Sequence, residues 1–164
     1  MKRPCFLLLI TAAAALLAVS CSEEKAKKAE APAKPSLSAK AGWLTSYAEA
    51  QQEAKSKQRL LLMDFTGSDW CGWCIMLDQE VFSKPAFKEY ASKNLVLLEL
   101  DFPRSKQMPK ETLAQNERLA MQYRVQGFPT VVVLDSNGKA IGALGYVKGG
   151  PGAFIAELEK MRKG

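Results

Sequence analysis

The sequence predicts an α/β domain with a central mixed β-sheet flanked by helices. Two apolar runs, at residues 60–65 (broken by one acid, Asp64) and 95–100, have the length and composition of strands that are buried on both faces of a sheet. A third, β-branched run at 130–134 leads into Asn137-Gly138, a pair that supplies the positive φ angles of a hairpin turn. Helical periodicity surrounds these runs and completes the α/β pattern.

The remaining elements follow from local composition. Apolar side chains recur at helical spacing within residues 43–58, and Pro85 and Pro151 stand where helices would begin. The predicted order is a helix at 43–58, a strand at 60–65, a turn at 67–69, helices at 70–82 and 85–93, a strand at 95–100, a polar loop at 102–110, a helix at 111–123, a strand at 130–134, a turn at 135–138, a strand at 139–146 and a helix at 151–162. The two buried strands joined by helices indicate parallel pairing with a right-handed crossover, and the hairpin adds an antiparallel pair.

Composition restricts the chemistry that this chain can perform. The 164 residues, 48% hydrophobic and 24% charged, are typical of one globular domain. The sequence contains no histidine. This excludes Ser-His-Asp and Cys-His nucleophile pairs, imidazole acid–base catalysis and metal sites that need an imidazole ligand. Catalysis must therefore use thiols, carboxylates, lysines or backbone groups.

The N-terminal segment has the pattern of a secretory signal peptide. Lys2 and Arg3 precede an uncharged, largely apolar run at residues 4–20. A membrane-spanning anchor is the alternative, but the run is somewhat short of the roughly 20 apolar residues that cross a bilayer core. We therefore expect residues 1–20 to direct export.

The end of this segment predicts a lipid anchor. Residues 17–21, Leu-Ala-Val-Ser-Cys, resemble a bacterial lipobox, although Ala18 stands where leucine is usual. Lipidation would make Cys21 the first mature residue and bind it to a membrane, whereas simple cleavage would release the protein. Residues 21–42 are rich in lysine, glutamate, alanine and proline, and predict a disordered tether before a domain at 43–164. An exported protein meets no genome, so we expect no nucleic-acid partner for the basic residues.

Two cysteines remain for chemistry once Cys5 leaves with the signal peptide and Cys21 is lipidated. Cys71 and Cys74 have C-x-x-C spacing. A zinc site would need a second cysteine pair or histidines, and covalent haem attachment would need a histidine where Ile75 stands. A redox dithiol is the interpretation that a surrounding βαβ pattern favours.

Two motifs carry a resemblance to a known family. W-C-G-W-C at residues 70–74 lies between a predicted strand and helix, and G-F-P-T at 127–130 opens a later strand. With these motifs, residues 43–163 resemble the thioredoxin-fold family, in particular exported thioredoxin-like proteins in which E-V-F, here at 80–82, follows the cysteines. The resemblance implies a mixed sheet, a cysteine pair at a helix N-terminus and a cis peptide bond at Phe128–Pro129.

The resemblance also implies roles for individual residues. Cys71 would be the attacking thiolate, which free N–H groups at a helix N-terminus favour, and Cys74 the resolving thiol. Asp64 resembles the family's buried carboxylate, which helps to move the proton of the resolving thiol and whose pKa burial should raise. Asp69, nearer in sequence, is a second candidate for that role. Thioredoxins often carry a lysine partner in the next strand, but residues 96–98 are apolar here.

Substrate-binding residues are expected around the cysteine pair. Pro129, in the cis form, would lie against the disulfide, with Phe128 before it, and offer backbone groups to a peptide. Trp70 and Trp73 would form a hydrophobic rim, with simple packing as the alternative for Trp70. The loop at 102–110 is longer than a minimal thioredoxin needs, and is either a lid for a specific partner or a tolerated surface insertion.

The sequence therefore predicts a thiol–disulfide oxidoreductase of the bacterial cell envelope that exchanges with protein thiols and disulfides through Cys71 and Cys74. We expect it to need no metal, flavin or nucleotide cofactor, and to exchange electrons with a membrane or envelope protein. The Gly72-Trp73 pair matches neither the reducing Gly-Pro type nor the oxidising Pro-His type, and the lack of histidine favours a reductant. The alternatives are a tethered binding or chaperone module without redox turnover, and a thiol protein that handles peroxide or metal.

Overall fold

The computed structural model describes residues 40–164, so the predictions for the signal peptide, for Cys21 and for most of the tether lie outside the described residues. Its elements are α1 (Tyr47–Lys57), β1 (Leu60–Thr66), α2 (Gly72–Leu77), a π-helical turn (Asp78–Phe82), α3 (Pro85–Asn94), β2 (Leu95–Asp101), α4 (Lys110–Gln122), β3 (Thr130–Leu134), β4 (Ala140–Leu144) and α5 (Gly150–Lys163). Within this part of the chain, no helix combines the length and the apolar character that a membrane span requires.

The four strands form one mixed sheet in the order β2-β1-β3-β4. β1 runs parallel to β2, while β1 and β3, and β3 and β4, pair in antiparallel fashion. The predicted parallel pair and the predicted hairpin are both confirmed. In the register of the parallel pair, Asp64 of β1 lies opposite Glu99 of β2.

Strand β1 is buried along its whole length and contributes to cores on both faces of the sheet. Leu60 and Leu62 belong to a core that contains buried residues of α2, the π-helical turn, α3 and α5. Leu61 belongs to a second core, which contains residues of α1 and α4. Because side chains alternate between the faces of a strand, Asp64 points toward the same face as Leu62. That is the face covered by α2.

The first helix starts later than the sequence pattern predicts. Apolar spacing indicates a helix from residue 43, but α1 begins at Tyr47, where the side chain of Ser46 caps it by accepting a hydrogen bond from the N–H of Glu49. Leu44 instead forms a β-bridge with Leu98 along the outer side of β2. This pairing holds residues 40–44 against the sheet and brings Lys40 to the buried face that α2 covers.

Candidate active site

Cys71 and Cys74 form a disulfide at the start of α2, with their Cα atoms 5.2 Å apart. Cys71 is the N-cap residue of the helix and has extended backbone angles. Its Sγ accepts a hydrogen bond from the N–H of Cys74 over 3.2 Å. Both cysteines are buried. Free N–H groups at a helix N-terminus favour negative charge, so this position favours a thiolate at Cys71 when the pair is reduced.

Asp64 is a carboxylic acid enclosed in the sheet. Its residue is 2% exposed, and among residues 40–164 its Oδ1 has no hydrogen-bond partner. Burial raises the pKa of Asp64 to about 7, against the opposing effect of the Lys40 ammonium. A carboxyl group that titrates near neutral pH can accept and return a proton under physiological conditions. The predicted burial of Asp64 and the predicted direction of its pKa shift are both present in the structure.

Lys40 joins three carboxylates on this face of the sheet. Its Nζ lies 3.5 Å from Oδ2 of Asp64, 3.1 Å from Oδ1 of Asp78 and 3.2 Å from Oε1 of Glu99. Burial disfavours the ammonium, but the three carboxylates outweigh burial and hold the pKa of Lys40 above its ordinary value. We call these four residues the Lys40 cluster. The cluster contains three potential negative charges and one positive charge, so its net charge depends on whether Asp64 and Glu99 hold protons.

The family resemblance suggested a lysine partner for Asp64 in β2, but residues 96–98 of that strand are apolar, so the sequence did not identify Lys40. Lys40 comes from upstream of α1, where its carbonyl accepts a hydrogen bond from the N–H of Trp43 over 2.8 Å. The ammonium lies 5.0 Å from the ring centroid of Trp43, which is within the range of a cation–π contact. Glu99 was also missed, although it is an acid in an apolar strand, the same signal that identified Asp64. Burial raises the pKa of Glu99 as well.

Asp69 has a different role from Asp64. Its carboxylate accepts hydrogen bonds from the backbone N–H of Arg104 over 3.0 Å, from the N–H of Ser105 over 2.7 Å and from the hydroxyl of Ser105. The bond from that hydroxyl, followed by the backbone bonds, lowers the pKa of Asp69 to about 2. A carboxylate with so low a pKa is a weak proton acceptor, and its oxygens are already engaged by these hydrogen bonds, so the hypothesis that Asp69 shares the proton-transfer role does not fit the structure. Asp69 holds the loop after β2.

Trp70 forms one wall beside the disulfide. Its Nε1–H donates to the carbonyl of Phe102 over 2.8 Å, and its ring meets that of Phe128 edge-on with centroids 5.9 Å apart. The guanidinium carbon of Arg104 lies 3.8 Å from the Trp70 ring centroid. Trp70 thus packs extensively, and its place in a substrate-binding rim stays a prediction. The peptide bond between Phe128 and Pro129 is cis, as the family resemblance implied.

Trp73 provides an exposed aromatic surface. It is 58% exposed, and its ring contacts Tyr146 with centroids 5.3 Å apart. The Tyr146 hydroxyl donates a hydrogen bond to Glu80. The neighbouring Ile75 and Met76 are also exposed. Sequence reasoning missed Tyr146, because nothing in the local pattern links it to Trp73.

Gly67 permits the close packing of Trp70. A Cβ atom at this position would lie 2.5 Å from Cε2 of Trp70, whose ring is held by the contacts described above. We expect Gly67→Ala to lower the free energy of unfolding by about 1–3 kcal/mol, as overpacking does, and to shift the tryptophan fluorescence. Urea unfolding measures the change. Gly142→Ala is the control, because its Cβ would meet the flexible side chain of Met161. Equal losses in both variants would contradict the explanation.

The structure therefore brings the cysteine pair, Asp64 and the Trp70–Phe128 wall to the region where β1 leads into α2. In residues 40–164, no three His, Cys, Asp or Glu side chains are grouped so that they could hold a metal ion. A disulfide at a helix N-terminus, next to a mixed sheet and with a cis-proline before a later strand, defines a thioredoxin-type redox domain. The chain belongs to the thioredoxin-like domain family, whose model matches residues 47–162.

The relatives of this chain include thiol–disulfide oxidoreductases. The disulfide bond reductase DsbH of Chlamydia pneumoniae is 35% identical over 130 residues, which are 79% of this chain and 78% of that protein. A solved structure of a DsbH oxidoreductase has a TM-score of 0.70 and 32% identity, and the match covers 81% of this chain and 95% of that one. The thiol:disulfide interchange protein DsbD of Pasteurella multocida (strain Pm70) is 30% identical over 122 residues, which are 73% of this chain but 19% of DsbD. This chain is a thiol–disulfide oxidoreductase with Cys71 and Cys74 as its redox pair.

Proposed function

We propose that this oxidoreductase works as a disulfide reductase of the bacterial cell envelope, acting on disulfides of exported proteins. The observation that carries the proposal is the Cys71–Cys74 pair at the N-terminus of α2, in a chain 35% identical to a protein named a disulfide bond reductase. The lack of histidine supports the same direction, because no imidazolium is available to stabilise the thiolate as in strongly oxidising relatives.

Reduction proceeds in two exchange steps. The Cys71 thiolate attacks one sulfur of the substrate disulfide, a Cys71–substrate disulfide forms, and the other substrate sulfur leaves as a thiolate that takes up a proton. Cys74 then gives its proton to ionised Asp64 and attacks Sγ of Cys71. The second substrate thiolate leaves and is protonated. Two electrons pass from the dithiol to the substrate, and the intramolecular disulfide remains.

Turnover then requires a dithiol donor that returns two electrons to the Cys71–Cys74 disulfide. Export by the segment at 1–20 and lipidation of Cys21 would keep the domain near a membrane-bound donor, at the end of the tether predicted for residues 21–42. The donor and the substrates are therefore proteins with thiols or disulfides.

The reduction potential tests the proposal. The full chain is equilibrated in thiol–disulfide buffers, and the fluorescence of Trp70 and Trp73 reports the redox state, with thiol alkylation as an independent measure. A reductase is expected to have a potential near about −270 mV, as thioredoxin does. A potential near about −120 mV would make the chain an oxidant instead. A pair that never cycles reversibly would leave the binding or chaperone module as the function.

A further inference from the structure

We propose that Arg104 forms a subsite for an acidic side chain of the substrate, next to the disulfide that is reduced. This inference rests on the proposed function and adds a class of substrate to it. Arg104 is exposed, and its guanidinium lies over the Trp70 ring at 3.8 Å. Among residues 40–164, no carboxylate lies within 4.0 Å of this guanidinium. Its N–H groups are therefore open to a ligand.

The backbone around Arg104 is held in place before any substrate arrives. Asp69 accepts hydrogen bonds from the N–H groups of Arg104 and of Ser105, and from the Ser105 hydroxyl. Asp69 belongs to the turn that leads to Cys71, so these bonds connect the loop directly to the active-site turn. A cation that is already positioned loses less conformational entropy when it binds than a free side chain does.

A second set of bonds holds the same loop and adds another positive charge. Asp101 accepts hydrogen bonds from the N–H of Ser68 over 2.9 Å and from its hydroxyl over 2.6 Å. The Ser68 hydroxyl is also 3.3 Å from Nζ of Lys106, which is exposed. Two acids near the loop, Asp69 and Asp101, are therefore engaged in holding the backbone and the turn, while two cations face solvent.

The position of Arg104 places this charge where a substrate must pass. Trp70, on which the guanidinium stacks, directly precedes Cys71 in the chain and also contacts Phe128, the residue before the cis-proline. A polypeptide whose disulfide reaches Cys71 therefore runs close to the guanidinium. The planar guanidinium of arginine can donate hydrogen bonds to both oxygens of a carboxylate, and stacking on an aromatic ring keeps it oriented. An aspartate or glutamate close to the substrate cysteine fits this chemistry.

Matched peptide substrates test the inference. Two peptides with the same intramolecular disulfide differ only in one residue beside a cysteine, which is Glu in one and Gln in the other. Single-turnover reduction by the reduced full chain is expected to be about three to five times faster for the Glu peptide at low ionic strength, the range of one exposed ion pair. The preference should disappear in about 1 M salt, where the Debye length is about 3 Å.

Two variants test whether Arg104 causes the preference for the Glu peptide. Arg104→Gln removes the guanidinium but retains the backbone N–H that Asp69 binds, and it is expected to reduce both peptides at the same rate. Lys139→Gln removes one positive charge from the exposed hairpin end, away from the carboxyl end of β1, and is expected to keep the preference. The inference is overturned if the wild-type chain shows no preference or if Arg104→Gln keeps it. Failure to reduce either peptide would instead contradict the proposed reductase function.

Discussion

Replacement of Cys71 by serine is expected to lower the rate of disulfide reduction by about a thousandfold or more, because a hydroxyl at neutral pH is a far weaker nucleophile than a thiolate. The rate is measured as thiol release from a disulfide peptide. The fold should survive, since Cys71 lies at the N-cap, where serine is also a good capping residue. Unfolding in urea provides that control.

Cys74→Ser separates the two exchange steps. The Cys71 thiolate still attacks the substrate, but no second thiol resolves the mixed disulfide. A covalent Cys71–substrate adduct should therefore accumulate, and a reductant should cleave it. Mass spectrometry of the non-reduced protein identifies the adduct. If the double variant Cys71→Ser, Cys74→Ser kept full biological function, the redox role of the pair would be wrong and a binding module would explain the protein.

Asp64→Asn is expected to make the protein more stable at pH 8, by about 2–4 kcal/mol. The pKa of Asp64 is about 7 in the folded chain, against an ordinary value of 3.8 for an aspartate in water. Between these two values the folded state binds a proton that the unfolded state has already released. The stability of the natural protein therefore falls as the pH rises from about 4 to about 7, and levels off above. Asparagine removes the part of this pH dependence that comes from Asp64, while Glu99, whose pKa is also raised, keeps its own part.

Lys40→Gln, in the same cluster, is expected to increase the pH dependence of stability, which Asp64→Asn decreases. Without the ammonium, Asp64 and Glu99 lose their cation, so the pKa of Asp64 should rise further. The pH-dependent loss of stability should become larger and extend to higher pH. Urea unfolding between pH 5 and 9 compares the two variants with the natural chain. Three parallel stability curves would contradict the coupling between Lys40 and Asp64.

Asp64→Asn and Lys40→Gln also test the proton-transfer role of Asp64 in the resolution of the mixed disulfide. If Asp64 accepts the Cys74 proton, Asp64→Asn should slow the resolution of the mixed disulfide by about 100-fold or more at neutral pH, and leave the first attack by Cys71 nearly unchanged. Lys40→Gln should retain the resolution step but move its pH midpoint upward. Stopped-flow tryptophan fluorescence separates the two steps. Equal slowing of both steps by Asp64→Asn would indicate a structural role only.

Much of the sheet could be predicted because its strands are marked by largely apolar runs of strand length. β1 and β2 each extend only one residue beyond the predicted ends, at Thr66 and Asp101. The start of α1 could not be predicted in this way, since the helical pattern of residues 43–46 is overridden by the bridge between Leu44 and Leu98. That bridge is a contact between distant segments, which local periodicity does not contain.

The site was predictable to the extent that its residues lie in motifs. Asp64 and the cysteine pair were identified from local patterns, and Glu99 could have been, because parallel pairing of the two apolar strands places it opposite Asp64. Lys40 and Arg104 carry no such signal. Each reaches its partners through tertiary structure: Lys40 through the turn that precedes the β-bridge, and Arg104 through the hydrogen bonds that Asp69 provides.

Lys40 also matters for how samples of the domain are prepared. The composition of the sequence places the domain boundary at residue 43, and a fragment cut there would lack the ammonium that lies against Asp64, Asp78 and Glu99. Such a fragment could fold and retain its disulfide, yet its proton acceptor would titrate at a different pH from that of the intact chain. Kinetic and stability data from truncated samples are therefore comparable with the natural protein only when the sample begins upstream of Lys40.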